Sequence, residues 1–207
     1  MSSRHLSVRR EDYNSDNMMG ADNQQERLPF HSGFDASRVP TELGFYLAGF
    51  VDGEGSFNVS FRKATDRNAN WRVGVCFNVS QRDPHVLNLL QSTLKCGRLR
   101  DRGDGVYYFE VNSISDLQKK VIPFFQHFEI RSPGKRYAFL AFIQICEVIS
   151  GRMHLTREGM QTILEIREDM NACKKRRYST DEILHSLRME EESSEAIRQA
   201  PGTRVSG

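Results

Sequence analysis

Two carboxylates close the stretch from Leu47 to Gly55, and the residues around them indicate what chemistry those acids could perform. The stretch reads Leu-Ala-Gly-Phe-Val-Asp-Gly-Glu-Gly, with Asp52 and Glu54 near its end. Thr41 suits a helix start, and the final glycine suits the left-handed position that ends many helices. An acid at a helix C-terminus is disfavoured by the helix dipole, so Glu54 needs a compensating cation. The stretch therefore predicts a helix that presents acids to a metal ion.

The glycine spacing in this helix predicts that it pairs with a second helix. Gly49 and Gly53 are four residues apart, so they share one helix face and leave a strip without side chains. A strip of small residues lets two helix backbones approach closely. The alternative, an ordinary amphipathic core helix, leaves two glycines in a helix interior unexplained. Beside the strip runs an apolar stripe of Leu43, Leu47, Phe50 and Val51.

The nine residues resemble the LAGLIDADG motif of homing endonucleases. This chain has Phe50 where the motif has Leu and Val51 where the motif has Ile. It has Gly53 where the motif has Ala and Glu54 where the motif has its second Asp. The resemblance extends over residues 41–190 and implies a site-specific DNA endonuclease that cuts a long pseudo-palindromic site with Mg²⁺ or another divalent cation. The motif occurs once in the chain. In this family a single copy implies a homodimer, whereas two copies make a pseudo-symmetric monomer.

The apolar pattern beyond the motif predicts two β-hairpins, each following a helix. Ser56 to Arg62 and Trp71 to Gln81 alternate strictly between apolar and polar residues, which is typical of strands with one buried face. Asp83-Pro84 begins a helix that Gly97 ends. The other predicted elements are a hairpin, Arg98 to Arg102 and Val106 to Asn112 around Gly103-Asp104-Gly105, and helices from Ser115 to Pro123, Lys135 to Ile149, Thr156 to Cys173 and beyond Ser179.

This order of elements predicts an α+β fold. Helix, two strands, helix, two strands and C-terminal helices give a four-stranded antiparallel sheet with helices on one face. The resemblance implies the same αββαββα homing-endonuclease fold. We expect one domain over residues 41–190, a disordered or loosely attached extension over 1–40 and a flexible tail over 191–207.

The sheet face away from the helices is predicted to carry an unusual number of arginines. Arginine binds guanine or phosphate through two parallel hydrogen bonds, asparagine pairs with adenine, and a β-ribbon fits the major groove. Because the motif is in the same chain, we interpret this face as a reader of double-stranded DNA. The alternative is a solvated face that uses arginine for solubility. The predicted DNA-binding residues are Ser60, Arg62, Arg72, Asn78, Arg98, Arg100, Arg102, Tyr108 and Glu110.

The resemblance implies that catalysis takes place where two copies of the motif helix end. Glu54 matches the metal-binding acid, and its partner is the same residue of the second subunit. The backbone of Gly53 or Gly55 adds a carbonyl ligand. Asp52 matches the first acid of the motif; we assign it, with Gly49 and Gly53, to the dimer interface as a structural group that bonds across the dimer.

Three further residues gain roles from the resemblance. Gln81, at the end of the second strand, matches a polar residue that positions water; a strand-end glutamine that bonds to backbone is an equal alternative. Lys135 matches a cation near the scissile phosphate, and Arg131 is a close rival because the connection before the helix has extra residues. His85 falls where the family often has a basic group that contacts phosphate, and it is equally typical of plain helix surface.

Charge and cysteine content indicate which binding partners and which cellular compartment are compatible with the sequence. Residues 41–177 carry 21 basic and 15 acidic side chains, against 5 and 6 in residues 1–40 and 3 and 6 in residues 178–207. A basic body is compatible with nucleic acid. The four cysteines are scattered and no apolar run approaches about 18 residues, which favours a reducing intracellular compartment, cytoplasm, nucleoid or organelle genome, with no membrane partner.

Two alternatives to cleavage share this predicted fold. One is an intron maturase, which would bind its host intron RNA and assist splicing. The other is a DNA-binding protein that has lost cleavage. Glu54, Gln81 and Lys135 favour cleavage over a DNA-binding protein that has lost cleavage. The maturase alternative stays open, because some family members both cut DNA and assist splicing. The single-domain form without splicing motifs favours an intron-encoded protein over an intein.

Overall fold

The computed structural model describes residues 33–63, 71–170 and 177–188. The predicted tail 191–207, residues 1–32 of the predicted extension and residues 174–176 of the basic run lie outside these ranges. The predicted domain boundary at residue 41 is wrong, because Phe34 and Val39 pack against the core and Ala36 is buried in a 3-10 turn, Ala36–Arg38. Residues 33–40 therefore belong to the folded domain. No helix in the described ranges is long and apolar enough to cross a membrane.

Four antiparallel strands form one sheet, as the alternating pattern predicts. The strands are β1 (Gly55–Lys63), β2 (Trp71–Gln81), β3 (Arg98–Asp101) and β4 (Tyr107–Val111), in the spatial order β1-β2-β4-β3. The two hairpins therefore join through β2 and β4 at the centre of the sheet. The second hairpin is shorter than predicted because the chain leaves the strand conformation at Gly103 and Gly105, which have φ of 79° and 77°.

Helices cover one face of the sheet, which confirms the predicted α+β architecture. They are α1 (Thr41–Glu54), α2 (His85–Leu94), α3 (Ile114–Asp116), α4 (Ile122–His127), α5 (Pro133–Ser150), α6 (Arg157–Met170) and α7 (180–188). A π-helical turn, Leu117–Val121, joins α3 to α4. The predicted cap at Ser115 is wrong, since the Ser113 hydroxyl accepts the Asp116 N–H at 3.3 Å. Pro123 does not end the helical run, because it lies in the first turn of α4, where N–H groups need no partner within that helix.

Phenylalanine rings join the inner face of the sheet to the helices. Phe57 of β1 stacks on Phe77 of β2 with 5.3 Å between ring centroids, and it lies 5.3 Å from Phe142 of α5. Leu47 and Val51 hold α1 on this core, with no exposed surface. Each fully buried side chain of this size contributes about 1.5–3 kcal/mol. The core thus fixes one face of α1 and leaves its opposite face for other contacts.

The helix α1 ends at a glycine for a different reason from the one predicted. Gly55 is extended, with φ of −75° and ψ of 160°, and not left-handed. A Cβ at this position would lie 2.5 Å from Val51 Cγ1. Glycine therefore lets the chain pass directly from α1 into β1 over a buried core valine. Likewise α2 ends at Lys95, which has φ of 51°, before the predicted Gly97.

Candidate active site and nucleic-acid interface

Glu54 is the last residue of α1, and its side chain is exposed. Within the described ranges, no hydrogen bond or ion pair engages its carboxylate. A negative charge at a helix C-terminus without a cation beside it is unfavourable. This acid therefore contributes little to folding, and its charge is available to a ligand.

The Lys135 ammonium donates a hydrogen bond to the carbonyl of Gly55, the residue that follows Glu54. Lys135 lies in the first turn of α5 and is half-buried. The rival Arg131 is exposed and gives its backbone N–H to Asp52 at 3.1 Å. The geometry therefore favours Lys135 as the cation at the end of α1. Because Lys135 occupies the Gly55 carbonyl, the carbonyl of Gly53, in the last helical turn, is the better candidate for a backbone ligand.

The carboxylate of Asp52, which the sequence-based prediction assigns to the dimer interface, bonds within its own chain. Its carboxylate accepts the backbone N–H groups of Arg131 at 3.1 Å and Ser132 at 2.9 Å, and also the Ser132 hydroxyl. Burial opposes ionisation, but these hydrogen bonds and the charge of Lys135 outweigh it and lower the pKa of Asp52. One residue corresponds to about 100° around a helix, so Asp52 faces the connection before α5 while Gly53 faces elsewhere.

Gln81 ends β2 close to the junction of α1 and β1. Gly55, the first residue of β1, pairs with Val79, so Gln81 extends two residues beyond the start of that strand. Its side-chain oxygen accepts the backbone N–H of Arg82 at 2.9 Å. This contact matches the alternative of a strand-end glutamine that bonds to backbone. Its amide NH₂ group has no partner among the described residues and so retains the capacity for a second contact.

The end of α1 presents oxygen atoms of the kind that a divalent cation binds, and a second copy of the chain would double their number. The described residues contain no group of three or more His, Cys, Asp or Glu side chains that could hold a metal. Mg²⁺ in phosphate chemistry takes one or two carboxylates together with substrate oxygens and water. One Glu54 carboxylate and one Gly53 carbonyl supply the right atom types but half of such a set. The donor chemistry therefore fits a cation shared between two motif helices.

The outer face of the sheet presents polar residues in cross-strand rows. Ser56, Asn78, Glu110 and Arg98 are paired in register across all four strands, and Ser80, Tyr108 and Arg100 form the next row. Strands lie about 4.8 Å apart, so a four-strand row is about 14 Å wide. The major groove of B-DNA is about 12 Å wide. The register therefore places five of the predicted DNA-binding residues, Asn78, Arg98, Arg100, Tyr108 and Glu110, in neighbouring cross-strand rows whose width is close to that of the groove.

Ion pairs already organise part of this outer face. Arg100 pairs with Glu110, and Arg102 lies 3.4 Å from Asp104, just beyond the end of β3. At the other end of the sheet, Arg62 stands directly opposite Arg72. Like charges in direct opposition are unfavourable unless an anion lies between them. The remaining predicted contact, His85, is exposed at the first residue of α2, and its backbone N–H donates to Asp83 at 2.9 Å.

Cys76 is an outer-face residue to which the sequence-based predictions give a packing or edge role and no contact with DNA. It lies on β2 opposite Asn58, and its thiol is 3.6 Å from the side-chain amide of Asn78. Burial raises the pKa of this thiol, so it stays protonated at neutral pH. The sequence does indicate where Cys76 lies, because alternate residues of a strand face the same side and Cys76 is two residues before Asn78.

No described residue covers the face of α1 that carries Gly49 and Gly53. A Cβ added at Gly49 or at Gly53 would meet nothing within 4 Å. Phe45 and Tyr46 flank this strip one turn earlier, with 47% and 55% of their surface exposed. These two aromatics are absent from the predicted interface, although their spacing of three and four residues before Gly49 is visible in the sequence. Exposed aromatics beside a bare strip form a surface typical of a protein interface.

The chain matches the model of the LAGLIDADG endonuclease family over residues 47–146. It is similar to the probable intron-encoded endonuclease 3 of Neurospora crassa, with 30% identity over 132 residues that make up 60% of this chain and 24% of that protein. The crystal structure of the homing endonuclease I-TnaI is 30% identical, at a TM-score of 0.57, and the match covers 72% of this chain and 96% of that one. The chain therefore belongs to the LAGLIDADG endonuclease family.

A third relative differs in length. The LAGLIDADG homing endonuclease I-LtrWI, solved bound to its target DNA, is 31% identical at a TM-score of 0.60, and the match covers 64% of this chain and 46% of that one. The chain thus spans about a quarter of the N. crassa protein, about half of I-LtrWI and nearly all of I-TnaI. It carries one copy of the motif.

Proposed function

We propose that this chain is a homodimeric, site-specific DNA endonuclease of the homing type, working in a reducing intracellular compartment. The observation that carries the proposal is the exposed carboxylate of Glu54 at the end of a helix whose glycine face is not covered by the described residues, with the Lys135 ammonium bound to the carbonyl of the next residue, Gly55. Pairing two such helices brings two acids to one place. The arginine-rich sheet of each subunit then extends to either side, where it can follow the groove of a duplex.

The residues divide the chemistry between them. A divalent cation, Mg²⁺ by the preference of carboxylate sites, supplies water activation and charge balance when bound. Glu54 of each subunit and the Gly53 carbonyl hold it. Lys135 places its positive charge near the scissile phosphate, and Gln81 orients water through the part of its side chain that Arg82 does not use. Two acids that repel each other at paired helix ends favour cation binding.

The length of the sheet sets the size of the target. β1 has 9 residues and β2 has 11. At about 3.3 Å per residue a strand of nine spans about 30 Å, which covers about nine base pairs. Two subunits related by a two-fold axis then read a site of about twenty base pairs with two-fold character.

Cleavage of a plasmid library that carries randomised sites, in Mg²⁺, tests the function. We expect the purified protein to cut a small set of related, pseudo-palindromic sequences and to need a divalent cation. Specific binding to DNA without cutting would instead support the non-cleaving alternative. Specific binding to a folded intron RNA without any DNA cutting would support the maturase.

Arg100 on β3 and Arg102 just beyond its end test groove reading. Replacing Arg100 or Arg102 by Ala should cost about 1–3 kcal/mol of specific binding and relax the base preference at mirrored positions of both half-sites, because alanine cannot form the bidentate hydrogen bonds to a base edge. Selection from randomised sites measures the preference directly.

Arg177 is the matched control for this prediction, because it is exposed in the basic run and outside the sheet. Arg177→Ala should weaken binding to every sequence alike and reduce the salt slope by about one for each phosphate that the arginine neutralises. If Arg100→Ala and Arg102→Ala leave the base preferences untouched, the sheet face is not the reader.

A further inference from the structure

The end of α1 and the start of α5 are tied together twice. The first connection is the Asp52 carboxylate, which accepts the backbone N–H groups of Arg131 and Ser132 at 3.1 Å and 2.9 Å and the Ser132 hydroxyl. The second is Lys135, which reaches back to the Gly55 carbonyl. Asp52 and Gly55 lie on either side of Glu54 in sequence. The two connections therefore join residues 52–55 to residues 131–135 on both sides of Glu54 in the sequence.

The first connection determines where α5 begins. Ser132 is the residue that precedes the first helical turn, with φ of −69° and ψ of 128°, and its side chain makes no cap within α5. Its hydroxyl donates to Asp52 instead. The next residue, Pro133, has no N–H group to contribute. Asp52 thus accepts the backbone N–H groups of the two residues that immediately precede α5, and a carboxylate at a helix start is favoured by the helix dipole.

Lys135 follows Ser132 by three residues, less than one helical turn. Any shift of the start of α5 therefore moves the Cα atom of Lys135 by about the same distance. A long, flexible side chain gains directional precision only when its backbone is fixed. A misplacement of about 1 Å at a reacting group can reduce a rate about 100-fold.

We propose that Asp52 is a positioning residue for catalysis, which sets the place of Lys135 beside Glu54 by holding the start of α5. This inference rests on the proposed endonuclease function. It gives the first acid of the motif a role within its own subunit that is distinct from metal binding and from dimer contact.

A double-mutant cycle over Asp52→Asn and Lys135→Met tests the inference. Asparagine keeps one oxygen for the two backbone N–H groups, but it removes the negative charge and places an NH₂ donor where an oxygen accepts the Ser132 hydroxyl, so the connection is weakened at almost constant volume. Single-turnover cutting should fall about 100-fold for Asp52→Asn. In the Lys135→Met background the same change should lower the remaining rate less than about threefold, since the residue acts through the lysine. Specific DNA affinity and the sedimentation coefficient should stay unchanged.

Two further variants keep the test decisive. Ser132→Ala removes one of the three hydrogen bonds and leaves the carboxylate, so it should give a smaller rate loss that also disappears without Lys135. Asp35→Asn is the matched control, because Asp35 likewise accepts a backbone N–H, from Ser37 at 3.0 Å, but precedes the opposite end of α1. It should cut at the normal rate.

The results of these experiments distinguish a failure of the positioning role of Asp52 from a failure of the proposed endonuclease function. Additive effects of Asp52→Asn and Lys135→Met, or a loss of dimer or of DNA affinity equal to the loss of rate, would overturn the positioning role while leaving the endonuclease intact. A wild-type protein that cuts no DNA in Mg²⁺ would overturn both.

Discussion

Glu54→Gln is expected to abolish cutting while the protein still binds its target. The substitution keeps the shape of the side chain and removes the charge that holds the cation. Metal-based charge stabilisation is worth several kcal/mol, and about 4 kcal/mol corresponds to a thousandfold in rate. Specific affinity should be retained, because it comes from the arginines of the sheet and from phosphate contacts. The measurements are single-turnover cutting in Mg²⁺ and equilibrium binding in Ca²⁺.

Folding stability gives this prediction an independent readout. The Glu54 carboxylate is exposed at the C-terminus of α1 and has no cationic partner in the described part of the chain. Removing it relieves an unfavourable interaction with the helix dipole, worth about 0.3–1 kcal/mol. Thermal unfolding without metal should therefore occur at a slightly higher temperature in Glu54→Gln. A functional acid differs in this way from a structural one, whose loss lowers activity and stability together.

Glu147→Gln is the matched control, since Glu147 is an exposed acid on α5 away from the end of α1. It should cut and unfold like the wild type. Equal cutting by Glu54→Gln in Mg²⁺ would remove Glu54 from the metal site, and a parallel loss of binding would point to a defect in folding or assembly.

The sheet and its outer face are predictable from the sequence because their signals are local. A strand with one buried face requires strict alternation, and β2 shows it from Trp71 to Gln81, the bounds that the structure has. Parity along such a strand then decides which side chains face outward. The helix α1 is predictable for a similar reason, since its apolar stripe and its glycine strip occupy different faces.

The connections around Glu54 are not predictable in this way, because they join residues far apart in sequence. Asp52 and Ser132 are separated by 80 positions, and so are Gly55 and Lys135. No periodic pattern reports such a contact. The sequence-based prediction therefore assigns Asp52 to the dimer interface only because Asp52 directly precedes Gly53. The predicted left-handed conformation of Gly55 is wrong for a local reason, since the chain passes directly from α1 into β1 and a Cβ there would meet Val51, four residues earlier.

Gly49→Leu is expected to give a folded monomer that no longer cuts. A Cβ at Gly49 would meet nothing within 4 Å in the described part of the subunit, so no described residue opposes a side chain there. Leucine also favours helix over glycine by roughly 0.8–1 kcal/mol, and the thermal stability of the subunit should rise or stay level. Across a close helix pair, however, the same side chain would hold the two backbones apart. Sedimentation velocity should show a monomer where the wild type is a dimer.

Dissociation of the dimer should reduce binding far more than removal of any single DNA-binding side chain does. A monomer binds one half-site, and it lacks the effective concentration that links two sheets on one duplex, commonly a factor of 10² to 10⁴ in affinity. Gly53→Ala is the matched control, because the family motif has alanine at this position and a methyl group keeps the helices close. It should remain a dimer that cuts. A Gly49→Leu protein that is still a dimer would show that Phe45 and Tyr46, or another face, form the interface. A wild-type monomer that cuts both strands would exclude a site shared between two motif helices.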